Sequence, residues 1–311
     1  MSMRRNIRIG GLLVLLAVGL SPALAQTPPP ARERGVGPFT LQTKDNTFVV
    51  RLLRRDKDSI WILKQAQAGG AFEAGIQVGE IVRLEMPAPR HFELARQAAA
   101  PEQIAQAQAG VKALLDLIKP YRDVPGAIAD DAILLLGLLA EKQQKPVEAI
   151  AWYEDILKQP YASAQKEPAR MRAGLCYAKT AQYEKAVAYL TAAKISDDDV
   201  ELLSEVMFAQ GQAFAKLGKP KEAVMAYLYL VVFHPFVQNN EARCLDAALP
   251  CYAELKDWDA LFKTIQTIQA SYPNTPQAEN AADFAETYAE KMKQEEAFQE
   301  PTKNEVPDEK E

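Results

Sequence analysis

Apolar residues are spaced in two different ways along this chain. Between residues 38 and 88 they come in short, β-prone runs: Phe48-Val49-Val50, Ile60-Trp61-Ile62-Leu63, residues 72–76 and residues 81–86. Breaks at Asp56-Lys57-Asp58, Gly69-Gly70 and Gln77-Val78-Gly79 separate them. Short runs at this spacing predict a small antiparallel meander. From residue 91 onward the apolar period is helical, and it repeats. Ala149, Ala186, Ala223 and Ala260 follow one another at intervals of 37 residues. Twelve residues before each stands another small residue: Gly137, Gly174, Gly211 and Ala248. Three residues after those come Ala140, Tyr177, Phe214 and Cys251. The pattern predicts four units of two helices over residues 130–275. Residues 91–129, with an apolar stretch at 104–118 and then Pro120, predict a degenerate opening pair. Phe284, Ala285 and Tyr288 repeat the first-helix pattern once more, predicting a capping helix over residues 276–298.

This arrangement resembles the tetratricopeptide repeat (TPR) family. The resemblance rests on the paired small residues, on an aromatic or leucine four residues after the alanine (Tyr153, Leu190, Tyr227), and on closing prolines (Pro160, Pro235, Pro273). It covers residues 130–275. The fourth unit departs from it, with Thr264 at the aromatic position and Pro250 inside its first helix. The resemblance implies a mainly α fold: a TPR-like solenoid of helical hairpins, here preceded by a small antiparallel β module. A lone hairpin cannot bury its apolar face, whereas stacked hairpins share one core. A large side chain at Gly211 is expected to overpack a helix crossing, at a cost of about 1–3 kcal/mol. The β module, over 38–88, loosely resembles a small SH3-like or Sm-like barrel. Its stretch Ala71–Val82 also looks like the helix-to-strand corner of PDZ domains, but the module is short for one and no carboxylate-binding loop precedes it.

The first 25 residues read as a cleaved secretory signal. Arg4, Arg5 and Arg8 precede a short apolar run, and Ala23-Leu24-Ala25 has the small-x-small form of a cleavage site. Its removal takes three positive charges from a chain of net −5. Residues 26–37 read as a proline- and charge-rich linker, and residues 299–311 as a disordered acidic tail. An exported or periplasmic location, with no transmembrane segment after cleavage, is the expectation. The three cysteines, Cys176, Cys244 and Cys251, are too sparse for a disulfide framework and are expected to be buried thiols.

Composition narrows the chemistry. The chain has 50 alanines, 15 glycines and only 2 histidines, His91 and His234. That suits tightly packed helices and leaves little for histidine-based zinc sites or histidine-assisted nucleophiles. No phosphate-binding glycine loop or nucleophile motif is present. Asp197-Asp198-Asp199 reads as a helix N-cap cluster rather than a metal site. The arginines Arg51, Arg54 and Arg55, diluted by Asp56 and Asp58, read as a solvated face rather than a nucleic-acid site. No catalytic, cofactor or metal residue is therefore expected.

Candidate partner-binding residues lie on the first helices, which in the TPR family line a concave surface. One expected outward stripe comprises Leu134 and Leu138, Met171 and Leu175, Phe208 and Gln212, Leu245 and Leu249. Each pair is four residues apart and so shares a helix face. The alternative reading is that the chain fills this stripe itself. Lys142, Lys179 and Lys216 recur every 37 residues and suggest a cationic ladder for an acidic peptide, or else helix C-terminal charges. The acidic tail is a further possible visitor to that ladder. The expected function is non-catalytic: a scaffold in the cell envelope that binds a protein or peptide. The alternatives are a regulatory or assembly subunit of an envelope complex and a self-associating structural protein. Residues 272–276 with Ala278 resemble the inter-repeat turn of exported TPR proteins, such as those serving outer-membrane barrel assembly or the Tol–Pal system.

Overall fold

The computed structural model describes residues 35–65, 70–194 and 199–299. The expected signal, most of the linker, Gly69, Asp197, Asp198 and the tail beyond residue 299 lie outside the described residues. Five strands form one antiparallel sheet: β1 (Val36–Thr43), β2 (Thr47–Asp56), β3 (Ser59–Gln65), β4 (Ala71–Gln77) and β5 (Ile81–Glu85). Their order is β4-β3-β2-β1-β5. The four apolar runs fall in β2 to β5. β1 lies before the first of those runs, and Phe39 and Leu41 alone carry its apolar alternation. The PDZ-like stretch forms strand β4 and a single 3-10 turn, Val78–Glu80, with no helix. Pairing of Leu52 with Ile62 and of Leu41 with Leu84 puts all four side chains in the core.

That core does not end with the sheet. Leu41, Leu52, Ile62 and Leu84 belong to one buried cluster with Tyr121, Val124, Ile133 and Tyr153 of the helical region. Two polar ties reinforce the join. Arg55 Nη1 and Nη2 donate to the two carboxylate oxygens of Asp123 at 2.6 and 2.9 Å. The Leu84 amide donates to the Pro125 carbonyl at 2.7 Å. Of the arginines expected on a solvated face, Arg54 is exposed, whereas Arg51 and Arg55 are half-buried. Arg51 Nη2 donates to Gly35 O at 2.8 Å, while Arg54 lies 4.4 Å over the Trp61 ring and 3.5 Å from Glu73. In the Arg55–Asp123 pair the guanidinium, by hydrogen bond and charge, holds the Asp123 carboxyl below its ordinary range.

Among the described residues eleven α-helices follow: α1 (Arg90–Gln97) and α2 (Pro101–Ile118), α3 (Ala129–Lys142) and α4 (Pro146–Leu157), α5 (Lys166–Lys179) and α6 (Tyr183–Ala192), α7 (Val200–Lys216) and α8 (Pro220–Phe233), α9 (Asn240–Leu255) and α10 (Trp258–Ser271), then α11 (Pro276–Gln299). Successive helices pack against one another, and first helices also touch the first helix of the next unit. The architecture is a TPR-like solenoid of helical hairpins behind a small antiparallel sheet. Asp199 caps α7 by accepting from the Leu202 amide at 3.1 Å, and Asp257 caps α10 in the same way. Between α2 and α3, Arg122 bonds Asp130 at 2.8 Å and Asp155 at 2.9 Å, and donates to the Tyr161 hydroxyl at 2.6 Å. Arg122 and Asp130 are 11% and 6% exposed, so this network is interior.

The glycine positions are helix crossings, where the second helix of each hairpin supplies the neighbouring side chain. A Cβ on Gly137 would stand 2.3 Å from the Tyr153 ring; on Gly174, 2.5 Å from Leu190; on Gly211, 2.5 Å from Tyr227. The gap is therefore filled from the second helix of the hairpin, and not by the residue three places after the glycine.

The turn within each hairpin has its own period. Gln144, Ala181 and Gly218, each 37 residues apart, all have left-handed backbone, with φ of 58°, 57° and 65°. In the fourth unit this residue is Lys256, one place later than the period requires. The second helix of that unit, α10, shifts with it. Leu261 and Ile265 are buried where Ala223 and Tyr227 are buried one unit earlier. So Ala260 and Thr264 are not the equivalents that a strict 37-residue alignment makes them. The unit keeps its packing through extra length at the end of α9, which runs on to Leu255 and leaves two linking residues where the earlier hairpins have three. Ala181 pays for left-handed backbone without a polar side chain to offset it. Ala181→Gly is expected to stabilise the protein by about 0.5–1 kcal/mol, a net of relieved strain over added unfolded-state freedom. A higher urea midpoint with unchanged slope is the confirming measurement.

Candidate functional site

A concave groove of about 580 Å³ crosses α5, α7 and α9. Arg172, Leu175 and Lys179 of α5 form one wall, and Glu205, Ala209, Gln212 and Lys216 of α7 form the middle. Ala247 and Pro250 of α9 close it. A smaller cavity of about 400 Å³ lies beside it, lined by Leu135, Leu138, Lys142 and Arg172.

The residues expected to face outward sit as follows. Met171, Leu175, Leu245 and Leu249 are buried; Leu134, Leu138 and Phe208 are half-buried; Gln212 is exposed. On α3, α5 and α7 the second member of each pair does line a cavity. The first does not: Leu135, Arg172 and Ala209 take the places expected for Leu134, Met171 and Phe208. One residue is about 100° of helical rotation, enough to turn a side chain from the groove into the stack. Met171 and Leu175 pack with Leu190 and Val206, whereas Phe208 lies 5.6 Å from the Tyr227 ring and 4.2 Å from the Arg243 guanidinium. A search for apolar residues passes over Arg172, Glu205 and Ala209. Their spacing is the signal that finds them: Leu135, Arg172 and Ala209 are 37 residues apart, three places before Leu138, Leu175 and Gln212, and Glu205 lies seven before Gln212 on the same face.

The three lysines have different surroundings. Lys142 Nζ donates to the carbonyls of Arg96 and Ala98, at 2.8 and 2.7 Å, and so closes the C-terminal end of α1. Lys179 Nζ is 3.6 Å from Glu141, whose other oxygen accepts from the Tyr153 hydroxyl at 2.5 Å. Arg172 stands between Glu141 (4.0 Å) and Glu205 (3.7 Å), linking α3, α5 and α7 along the groove. Lys216 is exposed on the groove wall. Burial of the Tyr153 phenol, with the Glu141 carboxylate beside it, raises its pKa strongly, so it stays a neutral donor.

All three cysteines are buried and free. Desolvation pushes the Cys176 thiol up to about 12 and that of Cys244 to about 11, and raises that of Cys251. Thiolates are the reactive form. We expect no alkylation of the folded chain by iodoacetamide at pH 8, and three modified sites by mass spectrometry once it is unfolded. Among the described residues, no group of three His, Cys, Asp or Glu side chains is placed to hold a metal ion. Among them, too, no helix is long and apolar enough to cross a membrane.

Comparison with known proteins adds to this geometry. The family model of the tetratricopeptide repeat matches residues 168–194, most of the α5–α6 hairpin. No curated protein matches the chain in sequence. Among solved structures, the chain is similar to MamA of AMB-1 at 17% identity, covering 64% of this chain and 96% of that one, with a TM-score of 0.42. It is similar to a protein of nearly identical TPR-like repeats from Podosopora anserina at 16% identity, covering 61% and 100%, TM-score 0.45. PilW, a type IV pilus biogenesis factor, is similar at 16% identity, covering 62% and 97%, TM-score 0.38. The chain carries a tetratricopeptide repeat at α5–α6, inside a solenoid whose α3–α4 and α7–α8 hairpins share that unit's 37-residue spacing.

Proposed function

We propose that this protein is a non-catalytic scaffold that holds a peptide or protein partner in the groove across α5, α7 and α9. The observation that carries the reading is the groove itself. It is open, it has an apolar floor, and Arg172, Lys179 and Lys216 stand along its walls. Such surfaces suit an extended segment whose side chains find apolar contact while its polar groups meet charged walls. The amino-terminal signal pattern supports action in the cell envelope, where an assembly or regulatory role within a larger complex is one form of the same activity.

The test must respect the stack. Glutamate at Leu175 or Phe208 would disturb packed positions. Ala209→Trp and Lys216→Glu instead alter groove positions that are half-buried and exposed. Crosslinking and pull-down of the full chain from envelope extracts should recover a partner that the double variant loses while its circular dichroism is unchanged. Recovery of the same partners by the folded variant would place binding elsewhere.

A further inference from the structure

The concave face continues past the groove. α11 keeps the register of the earlier first helices: Ala281 is buried where Cys244 is buried 37 residues before. In that register Glu279, Asp283, Glu286 and Glu290 are the equivalents of Glu205, Ala209, Gln212 and Lys216, and all four are exposed. Glu290 lies 3.4 Å from Lys293 on its own helix. In between, Asp246 of α9 is taken up by Asn280, whose Nδ2 donates to it at 2.6 Å. At the other end, Arg172, Lys179 and Lys216 are joined by Lys142 and by Arg96, both on the adjoining cavity. Glu93, 3.9 Å from Arg96, together with Asp131, Glu141 and Glu205 offsets these five cations only in part. The face is positive from α3 to α7 and negative at α11.

We propose that this surface reads charge order: it takes an extended segment whose acidic cluster lies over α5 and α7 and whose basic cluster lies over α11. The inference rests on the groove reading above and adds a direction to it. Packed helices stand about 8–10 Å apart, so α7 and α11 are separated by roughly 20 Å. An extended chain advances about 3.3 Å per residue, so the two clusters in the partner are about six residues apart. The residues between them pass over Ala247 and Pro250 and are small or apolar. Opposite charges at the two ends would fix register and reject a reversed segment, because like charges brought together oppose binding.

Synthetic peptides test this with the full chain. One carries three glutamates, six alanines and three lysines; a second has the same blocks in reverse order. Two controls carry only glutamates or only lysines at the charged positions. Fluorescence anisotropy should show at least one dipolar peptide binding about tenfold more tightly than either control, a gap near 1.4 kcal/mol. A photo-crosslinker on the glutamate end should label α5 or α7, and one on the lysine end α11. A variant combining Lys179→Glu, Lys216→Glu, Asp283→Lys and Glu286→Lys, all at exposed positions, should exchange the two labelling patterns. Equal binding by the glutamate control, labelling that ignores the reversal, or no binding by any peptide overturns the charge-order inference. If the Ala209→Trp, Lys216→Glu variant still loses its extract partner in those cases, the groove reading stands without it.

Discussion

Arg122→Met is expected to lower the stability of the chain by about 3–5 kcal/mol, the usual cost of removing one partner from a buried ion pair. The arginine fills a site between the sheet-facing end of α2 and the start of α3, and Asp130 is almost wholly enclosed beside it. Without the guanidinium, that carboxylate keeps only the Tyr161 hydroxyl, which donates at 3.0 Å. Asp155 is 39% exposed and regains water, so its share of the loss is small. A double variant, Arg122→Met with Asp130→Leu, separates charge from packing. It should recover most of the loss, because replacing a whole buried pair with apolar groups is often close to neutral. Urea unfolding of both proteins, compared at constant slope, decides the matter. If the single variant stays within about 1 kcal/mol of the parent, the cluster is more hydrated than its burial implies.

Gly137→Val should cost about 3 kcal/mol, at the upper end of overpacking effects. A Cβ there already falls 2.3 Å from the Tyr153 ring, before the branched methyls are counted. The ring has nowhere to go. Tyr153 is fully buried, and its hydroxyl is held by Glu141. The second repeat suggests the remedy, since Leu190 occupies there the place that Tyr153 occupies here. Adding Tyr153→Leu to a milder Gly137→Ala variant should restore part of the stability, although either change alone lowers it. That coupling is the signature of two residues sharing one space. Strict additivity of the two losses would mean that ring and glycine do not contest the same volume.

The repeat was legible because small residues cannot be replaced at close helix crossings. Gly137, Gly174 and Gly211 therefore keep their interval while the surface around them changes. The orientation of the concave stripe was only half legible. In α3, Ile133, Leu134, Leu135 and Leu136 are apolar in succession, so pattern alone does not separate the face in the stack from the face in the groove. In α5, the groove residue Arg172 is charged, and an apolar filter selects its neighbour. The slip in the fourth unit was hidden for another reason. The longer α9 leaves Ala260 and Thr264 in the expected places by count, and only the left-handed turn at Lys256, one place late, with Leu261 and Ile265 fully buried behind it, shows the slip. The docking of the sheet was not legible at all. It depends on Arg55 meeting Asp123, 68 positions later, and no local period records such a contact.

The buried apolar side chains form separate clusters. One runs from the sheet to Tyr177 and Ala213, one from Ala223 to Ala281, and a small one of Met171, Leu175, Leu190 and Val206 lies between. The groove draws on all three, through Ala213, Tyr227 and Leu175. It therefore lies where the three packed clusters meet, and a segment bound in it touches all of them. A segment lying across it acts as a splint. Occupancy would register as slower amide exchange along α7 and α8, far beyond the residues it touches, so that the scaffold reports being loaded by becoming rigid.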